Sequence, residues 1–187
     1  MKLKLFALLL GVVLLAGSCD EQEFGFNVSK EVNLGVPVTY ETVDIPLITF
    51  NPPPTEQRLV LSEVGAFSDA LEDVQDLGEV LLNSMAYEIT DVSNAEETPL
   101  DDLRISVEAG NQVIDLIVLT GTLTDVNKTD IPLTADQRRL IVEELSANGN
   151  DLNILVNLDF AEAPSEDINM NINVFFDITL KIRQNLN

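Results

Sequence analysis

Six oxygen-bearing side chains fall in two short segments where a hard cation could be held. Glu96, Glu97, Asp101 and Asp102 flank Pro99. Asp125 and Asn127 open a second segment, Asp125-Val126-Asn127-Lys128-Thr129-Asp130, with oxygen side chains at alternate positions and Asp136 eleven residues beyond Asp125. Ca²⁺ takes about six to eight oxygen ligands, mostly carboxylates and carbonyls, so both segments are candidate sites. The second is not a helix–loop–helix calcium loop. Asp130 stands where the sharp turn needs Gly, and Asp136 stands where a bidentate Glu closes the site. With 32 Asp+Glu in the chain, a solvated acidic surface accounts for both segments equally well. No cofactor other than Ca²⁺ is expected.

The remaining chemistry is limited by what the chain lacks. It has 187 residues, 32 Asp+Glu against 10 Lys+Arg, a formal charge of −22, no His, no Trp and one Cys. Histidine general acid/base catalysis, His-ligated metals, Cys₄ zinc sites and intrachain disulfides are therefore excluded. The charge repels phosphates, so nucleic acid is not an expected partner. No Gly-rich phosphate loop, GxSxG elbow or HExxH motif occurs. A Ser or Thr nucleophile would need Lys30, Lys128 or Lys181 as its base, and none lies in a recognisable motif. A pair of carboxylates suits glycoside hydrolysis, but among 32 acids a pair carries no information. The chain is expected not to be an enzyme. Sugar platforms rely on exposed aromatic faces, and the two tyrosines, Tyr40 and Tyr87, lie in alternating segments that read as core.

The single thiol is better placed. Lys2 and Lys4 form a basic start, residues 5–15 are apolar apart from Gly11, and Ala16-Gly17-Ser18 are small before Cys19. That is a secretory signal. Eleven apolar residues rise roughly 16 Å as a helix, about half of a ~30 Å hydrocarbon core, so residues 1–18 are expected to be cut away rather than to span. Leu15-Ala16-Gly17-Ser18-Cys19 resembles the lipobox of bacterial lipoproteins, in the relaxed form familiar in Bacteroidota, with Leu one place further from the Cys than in the commonest pattern. The resemblance covers about 20 residues. It implies cleavage before Cys19 and acylation of its thiol, and two or more acyl chains anchor a protein stably. The acidic run Asp20-Glu21-Gln22-Glu23 resembles the signal that exports such lipoproteins to the outer face of the outer membrane. The resemblance implies Asp20, Glu21 and Glu23 as the export signal, the membrane as partner through the anchor, and surface display. A periplasm-facing location is the alternative. Cleavage removes Lys2 and Lys4 and leaves 169 residues with 8 bases and 32 acids, net −24. Such a surface is soluble and self-repelling.

The elements that must position these groups are mostly strands. Ile168, Met170, Ile172, Val174, Phe176, Ile178, Leu180 and Ile182 alternate with a largely polar set, which predicts one long half-buried strand. Phe175 breaks the polar face. It marks either a second packed layer or an exposed contact. Asn169, Asn171 and Asn173 form a ladder on that face, available to a partner strand or to water. Leu152, Ile154, Val156, Leu158 and Phe160 predict the preceding strand, joined to the last by a short acidic loop as an antiparallel pair. Leu81, Met85, Tyr87 and Ile89 predict another, with Leu103, Ile105 and Val107 as its neighbour. Residues 113–120 are almost continuously apolar and read as a central strand. Phe26, Val28, Val32 and Leu34, then Val36, Val38 and Tyr40, alternate upstream, and residues 45–50 predict one more short strand. Asn51-Pro52-Pro53-Pro54 must be an extended crossing.

Two helices are expected. One is capped by Ser68, with Ala70, Leu71, Val74 and Leu77 inward. The other starts at the capping box Thr134-Ala135-Asp136-Gln137, carries Leu140, Ile141 and Leu145, and ends near Asn148-Gly149. The helix–strand–acidic loop–strand order occurs twice, which reads either as coincidence between two acidic loops in an acidic protein or as an internal repeat of two αββ-like units sharing one sheet system. Residues 24–187 thus read as a single mostly β domain, an antiparallel two-layer β-sandwich with one or two short helices; the alternative is an α+β arrangement with the helices on one sheet face. The expected function is that of a non-catalytic, lipid-anchored cell-envelope protein serving as a binding or structural module with an envelope protein partner. A small-ligand or divalent-cation binding lipoprotein is the alternative.

Overall fold

The computed structural model describes residues 23–41, 53–72, 76–93, 99–147, 151–161 and 164–185. Among the described residues, eight strands form two four-stranded antiparallel sheets, with two α-helices and a short 3₁₀ turn. The strands are β1 (Glu23–Tyr40), β2 (Thr55–Val60), β3 (Asp76–Ser93), β4 (Pro99–Ala109), β5 (Gln112–Thr122), β6 (Val126–Asp130), β7 (Asp151–Phe160) and β8 (Ile168–Asn185). The helices are α1 (Gly65–Glu72) and α2 (Ala135–Ser146). The β-sandwich expectation holds. The predicted strand at 45–50, Asn51 and Pro52, and Asn148 and Gly149 lie outside the described residues.

One sheet has the order β1-β8-β3-β6 and the other β2-β7-β4-β5. Among the described strands, only β4 and β5 follow one another in the same sheet, as a hairpin, and each other consecutive pair lies in opposite sheets. Eight strands in this order make a jelly roll. The hairpin turns at Gly110-Asn111, where Gly110 has φ +62°. A two-residue hairpin needs that left-handed geometry at its first position, which Gly adopts without a Cβ clash.

The last strand sits where its period predicts. Ile168, Met170, Ile172, Val174, Phe176, Ile178, Leu180 and Ile182 are all buried, flanked by β1 and β3 along nearly their whole length. Sheet partners differ from those expected. β7 does not pair with β8; it pairs with β2 and β4 in the opposite sheet. β4 likewise does not pair with β3, which lies between β8 and β6. The connections after β3 and β7 cross the sandwich rather than turn within a sheet, and both fall after helix-then-strand segments. Residues 113–120 belong to β5, an edge strand and not a central one: Val113 and Val118 are 58% and 49% exposed while Ile114 and Leu116 are buried.

The first predicted helix also shifts. It begins at Gly65, so Ser68 lies inside it, and residue 77 belongs to β3. Phe67 of α1 and Leu61 of the preceding turn are fully buried, and α1 packs against β1. The second helix matches its signal. Thr134 is the N-cap, its hydroxyl accepts from Gln137 N–H at 3.2 Å, and Gln137 Oε1 accepts from Thr134 N–H at 2.9 Å. Such a cap contributes about 1 kcal/mol. Ile141 and Leu145 are fully buried. This helix also closes two open sheet edges. Arg138 donates to the carbonyls of Leu82 and Asn83 on β3, and Gln137 Nε2 donates to the Asp115 carbonyl on β5 at 3.1 Å. Covering an edge in this way satisfies ladder groups that would otherwise template pairing with another chain.

Candidate functional site

β1 and β8 run antiparallel, so Glu23 lies opposite Asn185 at one end of the sandwich and Tyr40 opposite Ile168 at the other. The far end gathers the loops. Tyr40 packs edge-to-face on Phe160 with ring centroids 5.1 Å apart, which brings the ends of β1 and β7 together. Ser93 pairs with Asn169 at this end, and Leu100 pairs with Phe160. The loop before β6 joins the same pole, because Asp125 Oδ1 accepts from Val92 N–H at 3.0 Å.

This loop pole is polar and internally bonded. β3 bulges between Thr90 and Ser93, and Asp91 there has φ +59°. Among non-glycine residues Asp and Asn tolerate that conformation best, since a short polar side chain bonds locally. Asp91 Oδ2 accepts from Asn171 Nδ2 at 2.9 Å and from the Thr90 hydroxyl at 3.3 Å. Ser93 Oγ accepts from Asn169 N–H at 3.1 Å. The asparagine ladder continues along β8, where Asn173 Nδ2 donates to Glu88 at 3.3 Å. Its side chains bond mainly to β3 within the sheet.

The candidate cation ligands divide between two places. Asp101 and Asp102 lie at the start of β4, and Asp125 lies just before β6, where its carboxylate is engaged by Val92. Asn127 is on β6, and its carbonyl accepts from the Thr129 hydroxyl at 2.7 Å. Asp136, in the first turn of α2, is separated from Asp125 by a strand, so the twelve residues do not form one loop. Glu96 and Glu97 lie outside the described residues, as do Cys19, Asp20 and Glu21; Glu23 is the first residue of β1. Among the described residues no three acidic side chains come together as a metal-holding group.

Asp102 instead holds a base. Arg104 bonds both its carboxylate oxygens, Nε to Oδ1 at 3.1 Å and Nη2 to Oδ2 at 2.8 Å, and lies 3.7 Å from Asp115. Asp159 faces Asp102 across the β4–β7 pair. Partial burial, with the Asp102 and Asp101 charges beside it, raises the Asp159 pKa; Arg104 opposes this. Ser106, fully buried, donates to Asp115 at 2.8 Å. Arg104 thus offsets Asp102 along β4 and approaches Asp115 across the β4–β5 pair, while Asp102 and Asp159 are like charges opposite one another.

Phe175 is neither under a second layer nor free. It is half-buried, with Lys128 Nζ 4.1 Å from its ring centroid. Lys128 reaches from β6 across the sheet to Glu31 on β1 at 2.7 Å. Composition alone gave no signal for this strap, because it joins residues 97 positions apart. Tyr40 and Tyr87 are buried, as expected. A small recess of about 30 Å³ lies between Val38, Tyr40, Pro53, Thr55, Val156 and Leu158. No helix among the described residues is long and apolar enough to cross a membrane.

Fold and surface together define a jelly-roll β-sandwich domain with an acidic loop pole. No protein-family model and no curated protein matches the chain. Among solved structures it is similar to that of Desmodium yellow mottle tymovirus, at 11% identity over 83% of this chain and 84% of that one, TM-score 0.40. A giant freshwater prawn Macrobrachium rosenbergii nodavirus particle gives 9% identity over 89% and 98%, TM-score 0.42. The BFDV capsid protein gives 7% identity over 85% and 99%, TM-score 0.42. The jelly-roll assignment stands on this chain's own strand order.

Proposed function

We propose that this protein is a non-catalytic module anchored by lipid at Cys19 to the outer membrane, displayed at the cell surface, where it serves as a binding or structural domain for another envelope component. The observation that carries this reading is the position of the chain's single thiol. It directly follows small residues and an apolar run too short to span. The fold is compatible with such an anchor. β1 begins at Glu23, four residues after Cys19, so the domain hangs directly from the acylation point. Acyl chains supply the membrane affinity, about 0.8 kcal/mol per buried CH₂. The folded part then needs no membrane-embedding surface of its own. Its acidic side chains keep it solvated and mutually repelling.

Replacing Cys19 with Ser tests this. The reading predicts that C19S leaves the membrane fraction and that protease applied to intact cells degrades the wild-type domain. Equal membrane retention of C19S would refute the anchor. Full protection of the wild type, with degradation only after the outer membrane is opened, would place the domain on the periplasmic side.

A further inference from the structure

We propose that the free edge of β5 is a self-association surface. There the chain pairs antiparallel with a second copy of itself about a two-fold axis at Val118, joining two four-stranded sheets into one of eight strands. The pairing does not depend on the lipid anchor, which adds only confinement of the copies to one plane.

Each sheet ends in two edge strands, β1 and β6 in one and β2 and β5 in the other. An unpaired edge offers a row of N–H and C=O groups to another strand, and charges, proline or shortness guard against this. Three of the edges are guarded. β1 contains Lys30, Glu31 and Pro37, β2 is six residues long with Glu56 and Arg58, and β6 is five residues long with Lys128 and Asp130. β5 is not guarded. Its eleven residues hold one acid, Asp115, with no base and no proline, in a chain with 32 Asp+Glu. Val113 and Val118 on this strand are 58% and 49% exposed; among the described residues the only other exposed large apolar side chain is Phe26. α2 covers one carbonyl of this edge, that of Asp115. Among the described residues, no hydrogen bond from outside the sheet reaches residues 116–122.

Charge selects a second copy as the occupant. A basic partner finds a single acid on this strand. An acidic one finds a single base beside it, Arg104 opposite Val118 on β4, already bound to Asp102. A second copy brings an edge of the same near-neutral character, and a two-fold axis makes every contact twice. With a net charge of −22, two copies repel wherever acidic faces meet, so β5 is where they can approach. An axis at Val118 sets that side chain against its own copy, a β-branched cross-strand pair removed from water. Asp115 then lies opposite Gly121 of the second copy. At about 3.4 Å per residue the two Asp115 side chains are about 20 Å apart, well beyond a Debye length of about 8 Å.

Cysteine cross-linking in cells tests this. The wild-type chain, whose one thiol is Cys19, gives the background. Val118→Cys puts a thiol at the axis, where opposed Cα atoms are about 4.5–5.5 Å apart and within disulfide reach. Thr122→Cys lies four residues off the axis, about 27 Å from its copy. Glu56→Cys is exposed on β2, at the opposite edge of the sheet. The fraction holding the chain is recorded first, then oxidation with copper–phenanthroline is read on a non-reducing gel. The proposal predicts several-fold more linked dimer from V118C than from T122C, E56C or wild type. V118C that links no better than E56C, or T122C that links as well as V118C, overturns it. Sedimentation of the purified full chain gives a readout without an added thiol. Wild-type dimer should increase with salt, which screens the repulsion, and Val118→Lys, melting as wild type does, should lower it several-fold. Wild type that stays monomeric at every salt concentration overturns the pairing. A chain found in the soluble fraction refutes the anchor alone, since the same gel still reads the pairing.

Discussion

Arg138 is the side chain on which the closure of the sheet edge depends most. β6 pairs with β3 only as far as Ala86, and Ile131 N–H then bonds the Met85 carbonyl at 2.9 Å. Beyond that point β3 is an open edge. Arg138 Nη1 covers it, bonding the Asn83 carbonyl at 2.7 Å and the Leu82 carbonyl beside it. Arg138→Met keeps the aliphatic stem and removes the donors. A hydrogen bond involving a charged group contributes about 1.5–3 kcal/mol when buried. These carbonyls are only partly shielded, so about 2 kcal/mol for the pair is expected. For a domain of this size 1 kcal/mol moves Tm by about 2–4 °C. R138M should therefore melt about 4–8 °C below wild type, read by circular dichroism on chains lacking residues 1–18. Arg139 is the matched control. It pairs with Glu143 one turn along α2 at 2.8 Å, with both side chains exposed, and R139M should cost only about 1–2 °C. Salt separates them further, because it screens the exposed pair and leaves the carbonyl bonds largely intact. If R138M melts no lower than R139M, α2 does not close this edge.

Two further outcomes follow from the acidic surface. Asp159 binds its proton more tightly in the folded chain than at its ordinary pKa of 3.8. Folded stability is therefore lost as pH rises through the folded pKa, and that loss is complete at neutral pH. Asp159→Asn should raise Tm at pH 7, and the gain should vanish below pH 3.8; a gain that persists in acid would mean that the Asn stabilises by some other route. For cations, Asp125 is engaged by the Val92 amide and Asp102 by Arg104. Millimolar Ca²⁺ should raise Tm no more than Mg²⁺ at the same concentration. A Ca²⁺-specific rise would reveal a native-state site.

The sequence shows individual strands well and their partners poorly. Eight alternating apolar residues placed β8 correctly because the period of two is intrinsic to a pleated strand. Nothing in that period says whether β7 lies beside β8 or across the core from it. The capping box at Thr134 was legible because both of its bonds are local. Residues 113–120 misled for a physical reason: β5 carries apolar side chains on both faces although only Ile114 and Leu116 are buried. In sequence Leu81 alternates in phase with Met85, Tyr87 and Ile89. β3 bulges between Leu82 and Ser84, however, and the core face upstream is taken by Val80 and Leu82. A bulge shifts the alternation by one and is invisible to pattern counting. On the surface, Asp125 was picked out for its oxygen, but its role in tying a loop to Val92 depends on two segments 33 residues apart.

Mass spectrometry of the amino-terminal tryptic peptide from native membranes tests the anchor most directly. No Lys or Arg lies between Cys19 and Lys30, so cleavage before Cys19 yields one peptide, residues 19–30. That peptide should carry the mass of two or three fatty acyl chains on its first residue. Finding it with a free thiol and a free amine, or finding residues 5–30 uncut, would contradict the anchor.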